Sequence, residues 1–232
     1  MNRLFSIHPL TWCVVAIAIV TGYFRDLILL FSLIVIHEMG HYVMARFFRW
    51  RVQRIVILPF GGVAEVDEHG NRPFKEEFLV TIAGPLQHVW MLAVGYFLYA
   101  FDLWSSSFYA DFLIYNVMIL TFNLLPFWPL DGGKLLFLLL TALRPFKKAH
   151  LLLLRMSLSF LFIFLLFSLL HFSLNLNVFI VVLFLLFSLY REWRHHPYVF
   201  MRFLLERHRL IQTDALKRRK TLFAAPDQFI GD

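Results

Sequence analysis

The sequence is poor in cysteine and in charged residues. A single cysteine, Cys13, excludes an internal disulfide framework. Charged residues make up 16% of the chain and hydrophobic residues 60%, against roughly 45–50% hydrophobic residues in soluble domains. Together with a mean hydropathy of +0.70, this predicts an integral membrane protein, in which each transmembrane helix needs about 20 apolar residues.

The net charge of +7 does not point to nucleic acid here. The basic residues mostly flank apolar runs, which the positive-inside rule explains. Basic connections follow the second, fourth and sixth apolar runs, so we predict a multi-pass protein with both termini in the cytoplasm. Membrane lipids are therefore expected partners, nucleic acid is not, and an oligomer stays open.

We predict an all-α polytopic membrane protein with six transmembrane helices and a short β-hairpin or re-entrant loop after the second span. The predicted spans cover 9–24, 27–48, 78–103, 112–125, 151–170 and 178–190, and the fourth resumes as a helix through Leu143. A signal peptide at the first span is the alternative, but it lacks an A-x-A-like cleavage site and a second apolar run follows at once.

The predicted domains follow from these spans. Residues 1–190 form a six-span membrane domain, 191–220 a basic amphipathic helix on the cytoplasmic face, and 221–232 a flexible tail. The loop lies between Val52 and Val66, where β-branched residues are interrupted by Pro59 and by two glycines.

Polar residues in the second apolar run form the motif HEMGH, from His37 to His41. Positions i and i+4 share a helix face, so both imidazoles can reach one metal ion with Glu38 beside them. This HExxH spacing is typical of two zinc ligands and a general base. Within a membrane helix these residues are costly, so an accidental motif is a poor explanation.

A catalytic zinc site needs a third protein ligand. Glu65 and His69 are available, but they lie in a polar loop where solvated side chains are expected. Asp131 is the better candidate, because it lies in an apolar segment broken by proline and glycine, where an acid needs a cation or a partner. Its alternative role is to cap the helix that follows.

Three other interpretations stay open at this point. HxxxH also occurs in di-iron oxidases, but His195 and His196 offer the only second cluster. The chain could instead be an inactive metal-binding scaffold or regulator, although Glu38 is intact. His88 could line the cavity, and a structural role or one behind a metal ligand is the favoured interpretation.

The motif HEMGH, together with AGP in the third span and NLLPFWPLDGG after the fourth, resembles the site-2 protease family of intramembrane zinc metalloproteases. The resemblance implies that His37, His41 and Asp131 bind Zn²⁺. It also implies that Glu38 is the catalytic base and that Asn123 lies close to the site as a catalytic residue. The expected activity is hydrolysis of a peptide bond near the cytoplasmic face.

Within that family, the motifs ILPFGG, IAGPLQH, PLDGGKLLFLL and RFLLER are similar to the stage IV sporulation protein FB group. This likeness implies a pro-sigma-K-like substrate and inhibitory membrane partners resembling stage IV sporulation protein FA and bypass-of-forespore protein A. It also implies a location in the mother-cell membrane around the forespore. That group carries a nucleotide-sensing CBS domain, and we expect none in the short segment after Arg207.

Overall fold

A computed structural model describes residues 5–7, 9–50, 52–58, 61–66, 72–171 and 179–195, with residues 198, 201, 204, 205 and 208. The helices are α1 (Pro9–Thr21), α2 (Phe24–Phe47), α3 (Phe74–Ala100), α4 (Ser106–Asn123), α5 (Asp131–Leu143), α6 (Phe146–His171) and α7 (179–195). The strands are β1 (Phe5–Ile7), β2 (Val52–Leu58) and β3 (Gly61–Val66). The chain is therefore mainly helical.

Three helices in the described part of the chain are long and apolar enough to cross a membrane. They are Phe24–Phe47, Phe74–Ala100 and Phe146–Ser168. The helix at the first predicted span, α1, has only 13 residues. This is fewer than the about 20 residues that a span needs. The prediction of six spans therefore stays a prediction.

The strands form a sheet in the order β1-β2-β3. β2 and β3 are antiparallel, with Leu58 opposite Gly61 and Val52 opposite Val66. They occupy the stretch for which the sequence predicts a hairpin or re-entrant loop. β1 pairs in parallel with β2, Phe5 opposite Ile55, and this pairing was not predicted because β1 has only three residues.

The core is built around one face of α2. Five of its buried residues recur at every fourth position, which places them in one stripe along the helix. The stripe consists of Leu29, Leu33, His37, His41 and Ala45. Its apolar half packs with residues of α3 and α4, namely Met91, Phe112 and Ile119. The two histidines thus continue a stripe that is already buried.

The predicted break in the fourth helix is present. α4 ends at Asn123 and α5 begins at Asp131, and the segment between them is tied to α6 and α7 by an apolar cluster. The cluster comprises Phe127, Leu130, Leu161, Val182 and Leu185. Leu130, not Asp131, is the N-cap of α5. The Asp131 carboxylate is therefore placed by the break without serving as the cap.

Ser157 of α6 also holds this break in place. It is 1% exposed, and its Oγ accepts a hydrogen bond of 3.1 Å from the backbone N–H of Trp128. Ser157→Ala leaves that donor unpaired, which costs about 1–3 kcal/mol. We expect a lower midpoint of thermal unfolding in detergent.

Ser159→Ala is the matched control for this prediction. Its Oγ is exposed and bonds only within α6, to Arg155 O at 3.0 Å. Its thermal midpoint should match that of the parent. Equal midpoints for the two variants would show that the Trp128 contact does not stabilise the break.

The predicted cytoplasmic helix at 191–220 and tail at 221–232 are described only in part. α7 extends the sixth predicted span through residue 195, whereas residues 209–232 lie outside the described residues. The domain boundaries therefore stay predictions.

Candidate metal centre

The sequence-predicted ligands lie together. His37 Nε2 and His41 Nε2 are each 3.0 Å from Asp131 Oδ2, and the two nitrogens are 3.2 Å apart. All three residues are buried, with His37 2% and Asp131 3% exposed. Residues separated by about 90 positions in sequence thus offer three ligand atoms to one point.

The hydrogen bond of His41 shows which ring nitrogen is free to bind a metal. His41 Nδ1 lies 2.8 Å from Val80 O, and a carbonyl oxygen can only accept. Nδ1 therefore carries a proton, so in the neutral form of the ring the lone pair is on Nε2, the atom that faces His37 and Asp131. These facing acceptor atoms repel one another unless a cation neutralises them.

The donor set fits zinc. Two imidazole nitrogens and one carboxylate oxygen are zinc ligands, and three protein ligands leave a position for water or substrate. A hydrogen bond from the far ring nitrogen to a backbone carbonyl, as in His41, is the usual support of a zinc-bound histidine.

Lys134 engages the other oxygen of Asp131. Its Nζ lies 3.0 Å from Asp131 Oδ1, and Lys134 follows Asp131 by nearly one turn of α5. This ion pair leaves Oδ2 directed at the two histidines.

Glu38 is buried on α2 directly after His37, with 7% exposure. Position i+1 turns away from the His37 stripe by about 100°, so Glu38 stands beside the ligand face. This is the place that the sequence predicts for a base that does not bind the metal.

α3 presents three positions, spaced by four residues, to the HEMGH motif. Val80 supplies the carbonyl that binds His41, His88 Nε2 lies 3.1 Å from His37 Nδ1, and Gly84 lies between them. A Cβ atom at Gly84 would collide with His41 Nε2 and lie 2.8 Å from His37 Nε2. Glycine is therefore required there by the close approach of the two imidazoles.

The other sequence candidates lie differently. Asn123 Nδ2 donates to Ile119 O at 3.1 Å, one turn back in α4. This hydrogen bond is within α4 and does not join Asn123 to the three candidate ligands. Glu65 is described only as backbone in β3, and His69 and His196 lie outside the described residues.

Two groups at the site were missed by the sequence reasoning. Asn116 is fully buried in α4 and bonds to His88, and Lys134 pairs with Asp131. The signal for Asn116 was available, because it is an amide on the apolar face that also carries Phe112 and Ile119.

Comparisons with known proteins agree with this site. The model of peptidase family M50 matches residues 26–105 and 100–164. The chain is 46% identical over 202 residues to stage IV sporulation protein FB of Bacillus subtilis, covering 87% of this chain and 70% of that protein. A zinc metalloprotease of Methanocaldococcus jannaschii is 34% identical over 174 residues, covering 72% of this chain and 49% of that one.

The fold has a solved counterpart. The site-2 protease from Methanocaldococcus jannaschii aligns with a TM-score of 0.64 and 29% identity, covering 81% of this chain and 89% of that one. A zinc-type ligand set that joins two histidines of α2, a helix long and apolar enough to cross a membrane, to Asp131 at the start of α5 defines an intramembrane metalloprotease. The chain belongs to peptidase family M50, the site-2 protease family, whose zinc metalloproteases it resembles in sequence and fold.

Proposed function

We propose that the protein is a zinc-dependent endopeptidase that hydrolyses a peptide bond of a membrane-associated substrate near the cytoplasmic face. In this proposal His37, His41 and Asp131 hold the zinc, and Glu38 is the base. The observation that carries it is the meeting of Asp131, from the break before α5, with the HEMGH pair of α2.

Bound zinc supplies Lewis acidity and lowers the pKa of water at the site towards about 7. Glu38 takes the proton of the attacking water and passes it to the leaving amine. Lys134 holds the Asp131 carboxylate in place, because its ammonium pairs with Oδ1 and leaves Oδ2 for the metal position. Asn123 is proposed to donate to the developing oxyanion through the second N–H of its Nδ2, since the first donates to Ile119 O.

A multi-pass topology with six spans and cytoplasmic termini remains part of the proposal. It is supported by the ion pair of 2.9 Å between Arg25, in the first turn of α2, and Asp111, near the start of α4. This pair brings the turns after the first and third predicted spans to one end of the helices. The positive-inside rule assigns both turns to the side away from the cytoplasm.

We propose that the substrate binds by strand addition, which would hold an unwound segment for cleavage. In the described sheet β2 lies between β1 and β3, so the edge before Pro59 already pairs with β1. β3, after Gly62, is the better template. Replacing alternate residues of β3 by proline should reduce cleavage, and unchanged cleavage would contradict strand addition.

The similarity to a stage IV sporulation protein suggests a pro-sigma-K-like substrate, processed in the mother-cell membrane around the forespore. Inhibition by partners resembling stage IV sporulation protein FA and bypass-of-forespore protein A is part of the same proposal. We further propose that residues 1–190 form the membrane protease domain, since the match to peptidase family M50 lies within them.

Glu38→Gln tests this function. When the chain is co-expressed with a pro-sigma-K-like protein, the parent should process it and the variant should process it about 10²–10⁴-fold more slowly. The variant's zinc content should equal that of the parent, because Glu38 is not a ligand.

Two outcomes would contradict the proposal. Equal processing by parent and variant would exclude Glu38 as the base. A parent that binds zinc but cleaves neither this substrate nor a panel of membrane-anchored peptides would favour the inactive scaffold.

A further inference from the structure

A chain of buried polar groups runs from Asn116 of α4 through His88 of α3 to His37 of α2. His88 and Asn116 are both 0% exposed. Side chains fully buried among membrane helices need hydrogen-bond partners, and here each of these two has the other. The chain ends on the far ring nitrogen of His37, the one that does not face Asp131.

The orientation of the Asn116 amide is fixed by a backbone atom. Asn116 Nδ2 donates to His88 O at 3.3 Å, and this carbonyl oxygen can only accept. The amide oxygen, Oδ1, must therefore be the atom that faces His88 Nδ1. Since Oδ1 also only accepts, His88 Nδ1 carries the proton of that contact.

The proton positions then follow along the chain. A neutral His88 with its proton on Nδ1 has a lone pair on Nε2, which lies 3.1 Å from His37 Nδ1. His37 Nδ1 must be the donor, so His37 Nε2 is left with a lone pair. In the opposite arrangement two acceptors would face each other at Asn116, and a charged His88 would be costly at full burial.

We propose that Asn116 and His88 are positioning residues that select the zinc-binding tautomer of His37. Asn116 does not contact the ligand; it sets the proton on His88, and His88 sets the proton on His37. His41 needs no such relay, because Val80 O imposes the same tautomer directly. The two ligands of the HEMGH motif are thus prepared by different means from one helix, α3.

The test compares cobalt affinity and the visible spectrum of bound Co²⁺ in the full-length chain purified in detergent. Asn116→Leu removes both hydrogen bonds at nearly constant volume, and we expect about 10–100-fold weaker binding with an altered Co²⁺ spectrum. Asn116→Asp keeps the acceptor for His88 Nδ1, so it should restore binding and spectrum more closely to the parent.

His88→Gln and His88→Leu form the second pair. The glutamine oxygen can accept from His37 Nδ1, so His88→Gln should bind cobalt more tightly than His88→Leu. His150→Leu is the control for a lost buried histidine, because His150 is 2% exposed and pairs with Glu192 of α7. Its folded fraction should keep the parent's affinity and spectrum.

Nitrogen-15 spectra of the metal-free parent provide a readout independent of binding. His37 should be protonated on Nδ1 in the parent and mixed between its two tautomers in Asn116→Leu.

The relay is overturned if Asn116→Leu keeps the parent's tautomer and affinity, or if it resembles Asn116→Asp. The relay rests on the proposed zinc site, so a parent without Co²⁺ binding overturns both, whereas equal affinities of parent and variants overturn the relay alone.

Discussion

Asp131→Ala is expected to remove zinc from the protein and to abolish proteolysis. Asp131 Oδ2 is the atom that meets both imidazole nitrogens, at 3.0 Å from each. Without it only two protein ligands remain, and the Lys134 ammonium loses its partner next to the metal position. Zinc affinity should fall by more than the about 100-fold typical of losing an outer partner of a ligand.

The measurement is zinc content by elemental analysis, with thermal unfolding in the presence and absence of a chelator. A bound metal stabilises the folded state by about 2.7 kcal/mol at 100 times its Kd. The chelator should therefore lower the unfolding midpoint of the parent and leave that of Asp131→Ala unchanged. Retention of zinc by this variant would show that the third ligand lies elsewhere.

Asp111→Asn is the matched control for this loss of a carboxylate. Its side chain is 41% exposed and pairs with Arg25, in the first turn of α2 and far along that helix from the HEMGH motif. A partly exposed pair contributes about 0–1 kcal/mol. Zinc content and the response to chelator should both match those of the parent.

The meeting of the three candidate ligands was predictable because the cost of burying them is visible in the sequence. The spacing of His37 and His41 gives a shared helix face from helical geometry alone. Asp131 stands out because an acid in an apolar, proline-broken segment needs a partner. Both arguments use only local sequence and the energy of burying charge, and neither requires knowledge of how the helices pack.

The supports of the ligands depend on packing and could not be predicted in the same way. Val80 acts through its backbone carbonyl. Any residue type has such a carbonyl, so the sequence does not indicate this contact. In the sequence Lys134 is only a basic residue near the start of a helix. Its pairing with Asp131 depends on the orientation of α5 about its own axis. The resemblance implies a role for Asn123, whereas the asparagine that joins the buried chain is Asn116.

The helix ends were also only partly predictable. The sequence predicts the third span from residue 78, but α3 begins at Phe74, because the polar residues Lys75, Glu76 and Glu77 form its first turn. Acidic side chains are favourable in the first turn of a helix, so hydropathy alone places the start of this helix too late. The parallel strand β1 pairs with residues about 50 positions away, which no local pattern encodes.

Gly84→Ala is expected to eliminate zinc binding and cleavage in a protein that still folds. The new Cβ would collide with His41 Nε2 and lie 2.5 Å from His41 Cε1 and 2.8 Å from His37 Nε2. Neither ring can turn away freely, because Val80 O holds His41 and His88 holds His37 from the same helix. Replacing glycine by alanine within a helix favours that helix by about 1 kcal/mol, which opposes a general loss of structure.

Gly95→Ala separates this effect from overpacking in α3. A Cβ at Gly95 would meet the ring of Phe112, with Cζ at 2.9 Å, in the apolar core cluster that includes Met91. Overpacking of this kind costs about 1–3 kcal/mol, so the unfolding midpoint should fall while zinc content stays at the parent's value. Gly84→Ala should also lower the midpoint, because its Cβ meets packed side-chain atoms as closely, but unlike Gly95→Ala it should lose zinc. If both variants lost zinc equally, or if Gly84→Ala retained it, the close approach of α3 to the two imidazoles would not be what positions the ligands.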